Sequence, residues 1–283
     1  VSAYPSSNVE TARKAVAARL RELRLDAGLK GHELASRCGW HKSKTSRLES
    51  AATPPSDSDI RTWCEVCGVA DQAADIIAAS RTADSMYVAW QRLQRTGLRR
   101  LQESRVPLYE RTRHFRGYAS HVVPGLLQTP AYASALLSAV GRFHGAPDDT
   151  AEAVAARMNR SRVLHRGDRR FVLVVEESVL RYQIGDVRTM GGQLGHLLSV
   201  MSLASVSLGV IPLSARERGI WTLEAFNVFD EQRVHVELLS AQITVTAPSE
   251  VALYMRAFAE LREMAVYGAE ARGLITSAAD SLT

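Results

Sequence analysis

Apolar positions recur at helical spacing through the first third of the chain. Val16, Leu20, Leu23 and Ala27 form one stripe and predict a helix over about Glu10 to Ala27, after a disordered or cloned-in start at residues 1–9. Leu34, Ala35 and Cys38 share a face of a short helix over Gly31 to Cys38. Gly39 ends that helix, because glycine takes the left-handed conformation without steric cost. Over His41 to Ser50, Thr45 and Leu48 point one way, while Lys42, Ser43, Ser46 and Arg47 point the other. The run Thr53-Pro54-Pro55-Ser56 is a turn. Ser56 or Asp57 then caps a helix carrying Ile60, Trp63, Cys64 and Cys67, closed by Gly68. A fifth helix is expected over about Asp71 to Ser80. Beyond it, Met86, Trp90, Leu93, Gly97 and Leu101 stripe a segment over Asp84 to Ser104. That linker helix either rests on the second domain or couples and dimerises; an apolar stripe does not name its partner.

From Arg105 the periodicity changes. Strands are expected at His114–Ser120, Phe171–Glu176, Val206–Ile211, Thr222–Phe229, Arg233–Leu238 and Gln242–Thr246, with Asp230-Glu231-Gln232 as a hairpin loop. Helices are expected at Pro130–Val140, Asp149–His165, Asp186–Leu203 and Ser249–Tyr267. Thr129 serves as cap and Pro130 as first helical residue of the first. The fold class is therefore mainly α followed by α+β: a five-helix domain over 10–82, a linker helix over 83–104, and an α+β domain over 105–275 with a mostly antiparallel sheet. Residues 189–215 contain no charge, but Ser, Gly, His and Pro interrupt them, so they read as helix then strand and not as a membrane span.

Charge divides the chain unevenly. Of a net +5, residues 1–113 hold 19 Lys+Arg against 13 Asp+Glu, and residues 114–283 hold 16 against 17. The surplus lies with the short helices, as a polyanion-binding module requires. Cys64 and Cys67 form a lone CxxC without the second ligand pair that zinc needs, and read as core thiols. Three cysteines without a signal peptide suit a reducing cytoplasm. No GxSxG, HExxH or phosphate-binding GxxxxGK[ST] occurs, so an enzyme is the weakest class, and no metal or cofactor is expected. Glu176 and Glu177 are adjacent on a strand and point to opposite faces. His235 and Glu237 share one strand face opposite Val234 and Val236, as a pocket lining or as a wet sheet face.

The helix pair around Gly39 suits a DNA major groove, with a cationic, hydroxyl-bearing face outward and an apolar face inward. With Leu20, Leu23, Arg24, Gly28-Leu29, Glu33-Leu34-Ala35, Gly39, Ser43, Ser46, Leu48 and Glu49, the first quarter resembles the phage-repressor-like (XRE-type) helix-turn-helix regulators. The resemblance implies that Arg24 pairs with Glu49, and that Leu34, Ala35, Gly39 and Leu48 build the scaffold. It also implies base contacts from Lys42, Ser43 and Arg47. Phosphate contacts are expected from Arg13, Lys14, Lys30, Lys44 and Ser46, although Lys30 stands where that family usually has a Ser or Thr cap. The partner would be double-stranded DNA with a pseudo-palindromic operator, bound by a homodimer.

The run Val123-Pro124-Gly125-Leu126-Leu127-Gln128-Thr129-Pro130-Ala131-Tyr132-Ala133 resembles the hallmark of an uncharacterised domain that follows such a helix-turn-helix in actinobacterial regulators. Arg157-Met158, Gln193-Leu194, Val210-Ile211-Pro212 and His235-Val236-Glu237 follow in the expected order. The resemblance implies an antitoxin-like regulator, often encoded beside a small acidic partner protein. Arg157 and Arg160, taken as exposed, are candidates for receiving that partner, while His235 and Glu237 are candidates for a small-molecule effector. The sequence reading is thus a transcriptional regulator (a repressor, with partner or effector sensing) or an antitoxin-like protein that sequesters its partner.

Overall fold

The computed structural model describes residues 5–82, 87–89, 97–216, 218–239 and 241–282. It divides into two units, residues 1–87 with 245–251, and residues 88–244 with 252–283. In the first unit, α1 (Pro5–Asp26) begins earlier than the apolar stripe alone indicates, and residues 1–4 of the expected disordered start lie outside the described residues. It is followed by α2 (Gly31–Arg37), α3 (Lys42–Glu49), α4 (Asp57–Val66) and α5 (Ala73–Thr82). Leu20, Leu34, Leu48, Ile60 and Trp63 are fully buried and form one core, tied across by the Trp63 indole N–H, which donates to the Leu20 carbonyl at 3.0 Å. Ser56 caps α4: its hydroxyl accepts from the Asp59 N–H, and the Asp59 carboxylate accepts from the Ser56 N–H.

Of the expected linker helix over 83–104, the described residues 98–104 are helical and the others are not. Residues 83–86 and 90–96 lie outside the described residues, and Tyr87–Ala89 is a strand, β1. The helix there, α6 (Leu98–Arg111), starts only after Gly97, whose φ of +93° breaks any helix running into it. Its first two N–H groups, on Leu98 and Arg99, donate to the two carboxylate oxygens of Asp149 at 2.9 Å each. A cap supplied from so far along the chain has no local signature.

The described elements that follow are β2 (His114–Ala119), α7 (Pro130–His144), α8 (Thr150–Ser161), β3 (Arg170–Glu176), α9 (Glu177–Arg181), α10 (Val187–Val200), β4 (Val206–Ile211), β5 (Phe226–Phe229), β6 (Arg233–Glu237), β7 (Ala241–Val245), α11 (Pro248–Glu263) and α12 (Gly268–Asp280), all in the second unit except Val245 and the first turn of α11. The sheet order is β1-β7-β6-β5-β2-β3-β4. The expectation of a mostly antiparallel sheet is corrected: the sheet is mixed. β5 pairs antiparallel with β2 and β6, but β2/β3 and β3/β4 are parallel, with Phe115 opposite Phe171 and Phe171 opposite Val206. Parallel neighbours require crossovers, and the helix pair α7–α8 and the helices α9–α10 supply them. The β5–β6 turn is a tight one, with Asp230 and Glu231 at φ +48° and +57°. The expected final helix over Ser249–Tyr267 is α11, which ends at Glu263; Val266 then bridges to Val210, and α12 follows beyond the expected range. Ala271, Ile275 and Ala278 on the unexpected α12 are buried in the main core with Phe115, Phe171, Leu194 and Phe229. No described helix is long and apolar enough to cross a membrane.

Candidate nucleic-acid interface

The helix pair is set by two short-range devices. Gly39 takes φ +69°, ending α2 and turning the chain toward α3. His41 then caps α3: its Nδ1 accepts from the Ser43 N–H at 3.3 Å and meets the Ser43 hydroxyl at 2.8 Å. Thr45 and Leu48 are buried, so the opposite edge of α3 is turned out, and Lys42, Ser43, Ser46 and Arg47 are all exposed. The Ser43 hydroxyl is engaged by His41, which leaves Lys42, Ser46 and Arg47 as the side chains of that edge that extend into solvent.

A buried ion pair fixes α3 against α1. Arg24 donates Nε to Glu49 Oε1 at 2.5 Å and Nη2 to Oε2 at 3.0 Å, while Nη1 donates to the Leu29 carbonyl at 2.7 Å. The bond to Glu49 holds the Arg24 guanidinium above its ordinary pKa despite burial. Leu34, Ala35 and Leu48 occupy the buried positions expected of them.

The expected phosphate contacts do not all face outward. Arg13, Lys14, Lys30 and Ser46 are exposed. Lys30 starts α2, and its N–H donates to the Glu33 carboxylate at 2.7 Å, a bond that holds Glu33 below its ordinary pKa. Lys44 is corrected: its ammonium donates to Asp59 Oδ1 at 2.6 Å and sits 4.4 Å from the centre of the Trp40 ring. Burial would raise the Asp59 pKa, but the bonds from Lys44 and Ser56 outweigh it and hold Asp59 low. Residue 44 lies one position beyond the outward edge, and so joins α3 to α4 instead. Cys64 is buried and Cys67 half-buried; burial pushes both thiols up, Cys64 to about 11, as suits core thiols. Among the described residues no group of three or more His, Cys, Asp or Glu could hold a metal ion.

In the second unit Arg157 and Arg160, taken from the sequence as exposed, are 8% and 3% exposed. They belong to an internal polar network. Arg157 donates to Gln128 and, at 3.2 Å, to Gln102; Arg160 donates to the same Gln102 oxygen at 2.9 Å and lies 4.9 Å from the Tyr109 ring centre. Gln128 in turn donates to the Val123 carbonyl at 2.7 Å, and Gln193 clasps the same loop, donating to the Leu127 carbonyl and accepting from the Thr129 N–H at 2.7 Å each. The Val123–Thr129 run is thus a rigid internal loop, and a surface for a partner protein is not what these two arginines offer. A helical wheel assigns arginines to solvent by default; Gln102 and Gln128, the amides that hold them inside, carried no signal of that role.

Glu176 and Glu177 are both buried with separate partners, Arg218 and Tyr118 for the first, Arg181 and the Leu213 N–H for the second. His235 and Glu237 share a face of β6, with Val234 and Val236 buried behind them. Glu237 pairs with Arg105 at 2.8 Å, and His235 packs on Phe229 with ring centres 4.9 Å apart.

The profile of the family described as Helix-turn-helix domain matches residues 15–75, which span α1 to the start of α5. No curated protein and no solved structure matches the chain. A second profile, described as Domain of unknown function (DUF5753), matches residues 103–277, from within α6 to within α12. That is more than half of the chain, and the chain belongs to the DUF5753 family, with a helix-turn-helix domain preceding it.

Proposed function

We propose that the protein is a sequence-specific transcriptional regulator of the XRE type, a cytoplasmic homodimer that represses from a pseudo-palindromic site, with no catalytic activity of its own. One observation carries the reading: the edge of α3 bearing Lys42, Ser46 and Arg47 is exposed while the Arg24–Glu49 pair and buried Leu48 hold the helix rigidly behind it. A rigid helix with a cationic outer edge is the arrangement that reads a major groove. Arg47 is the principal base reader, since a guanidinium spans guanine O6 and N7 bidentately. Lys42 joins it, and Arg13, Lys14, Lys30 and Ser46 contact phosphates.

Selection from a random duplex pool, followed by gel shift on the selected site, tests this. Arg47→Ala should weaken the selected site by ~1–3 kcal/mol and relax preference at one base position, with little change on random duplex. Equal losses on both, or no duplex retained at low ionic strength, would contradict the role. The antitoxin-like reading, with a small acidic partner protein, rests on the resemblance alone once Arg157 and Arg160 are buried, and regulation with effector sensing is favoured over it.

A further inference from the structure

Where α6 packs beside β6 and β7, the second unit has a cleft of about 230 Å³ lined by Arg105, Arg111, Arg233, His235, Ser104 and Gln242. Its polar lining is almost entirely cationic or donor-bearing. The carboxylate beside it, Glu237, is held by Arg105 at 2.8 Å, and Arg105 also donates to Gln242 at 2.7 Å. Arg233 is half-buried, and burial together with neighbouring Arg111 depresses its pKa. Behind this ring stand Arg157 and Arg160, also cations, held by neutral amides; the buried Arg160 Nε has no hydrogen-bond partner. Arg105, Arg157 and Arg160 thus share the Glu237 carboxylate, while Arg111 and Arg233 crowd each other at the cleft. Like charges gathered on low-dielectric walls repel one another and focus a positive potential into the cleft. Leu101 and Leu108 add an apolar wall. The volume is below the ~300–1,000 Å³ of drug-sized sites, which suits a small metabolite and not a peptide or a duplex.

We propose that this cleft binds one small polyanion bearing phosphate or carboxylate groups, with Arg111 and Arg233 as its principal ligands and the amide N–H of Gln242 fixing its orientation; the Ser104 hydroxyl, which donates to the Leu101 carbonyl at 2.9 Å, only borders the site. Guanidinium forks match both oxyanions bidentately. The proposal names the effector class for the regulator, and its sensing role rests on that reading; the binding itself does not, and is measured without DNA.

Titration calorimetry on the full chain, with pyrophosphate and citrate as probes and sodium chloride holding ionic strength constant, tests it. The expected result is one saturable site for at least one probe, and the probe that saturates identifies phosphate or carboxylate as the recognised chemistry. Arg111→Gln, on an exposed side chain, and Arg233→Gln should each weaken binding at least tenfold, while Arg188→Gln on the exposed face of α10 should leave it unchanged. No saturable binding of either probe overturns the proposal. So does binding that survives both substitutions in the cleft, which would mark an adventitious ion only.

Discussion

Arg24 and Arg157 are both buried guanidinium groups, and the protein treats them in opposite ways. Arg24 meets both oxygens of the Glu49 carboxylate through Nε and Nη2, and the Glu49 bond holds its pKa up. Arg157 meets only the amide oxygens of Gln102 and Gln128; burial, aided by Arg160 and Arg105, drives it down to about 9. The Arg24 site neutralises the charge it buries, whereas the Arg157 site satisfies hydrogen bonds and leaves the charge opposed only in part, by Glu237. A neutralised pair is a mechanical joint, fit for holding a reading helix rigid. A charge opposed only in part is a standing electrostatic field, fit for drawing in an anion.

The largest effect is expected from breaking the joint. Glu49→Ala leaves Arg24 buried without its carboxylate and should destabilise the first unit by about 3–5 kcal/mol, measured by urea denaturation. Adding Arg24→Met should recover much of that loss, because the cost lies in the orphaned charge. Equal losses in the single and double variants would mean that Glu49 acts by packing alone.

Next comes the amide that serves two arginines. Gln102 is 1% exposed and accepts from both Arg157 and Arg160. Gln102→Leu should cost about 2–3 kcal/mol, the penalty for buried donors left unmatched. Gln102→Glu, which introduces the missing carboxylate, should lose less than Gln102→Leu. The reverse order in denaturation would show that the network tolerates lost donors better than added charge, and would erase the contrast with Arg24.

How much of this contrast was legible in the sequence depends on range. The face of α3 is a local property of eight residues, so the wheel separates Thr45 and Leu48 from Lys42, Ser46 and Arg47 without knowledge of the fold. The Arg24–Glu49 pair came through the resemblance. Arg157 was misread because its partners lie 55 and 29 residues away, at Gln102 and Gln128, and no periodicity reports an amide waiting inside. The cap on α6 from Asp149 and the parallel pairing of β2, β3 and β4 failed to register for the same reason. Strand positions follow from local alternation, but the choice of neighbour is a tertiary decision.

The two units should also differ in acid. Burial first, then Arg105 and Arg233, push His235 down to about 4 from an ordinary 6.5, and Glu237 only partly opposes them. The folded imidazole therefore resists a proton that the unfolded chain accepts. Its contribution to stability is whole above pH 6.5 and is lost as pH falls toward 4, by about 2 kcal/mol after allowance for the ring's partial exposure. His235→Gln should flatten that part of the second unit's stability profile. In the first unit Asp59 is held low, so the contribution of its pair with Lys44 should persist through this window and fail only as pH drops through the folded Asp59 pKa.

Lys44 supplies the smallest and most discriminating effect. Its ammonium is already bonded to Asp59 and stacked on Trp40, at 36% side-chain exposure, so its charge belongs to the α3–α4 joint. A half-exposed pair of this kind is worth about 0.5–1 kcal/mol. Lys44→Met should therefore cost about that much in urea denaturation, while the slope of DNA affinity against salt stays at the wild-type value. Lys42→Met, on the free edge of the same helix, should cost almost no stability yet reduce that slope by up to about 0.9, because a cation lying in the groove displaces about one counterion while it reads a base edge. Two lysines two residues apart would then report separately on the two things an embedded charge can do, holding the scaffold together or facing its partner. If Lys44→Met reduced the salt slope as Lys42→Met does, the Asp59 pair would have to open on DNA, and α3 would not be the rigid reader that the Arg24–Glu49 joint implies.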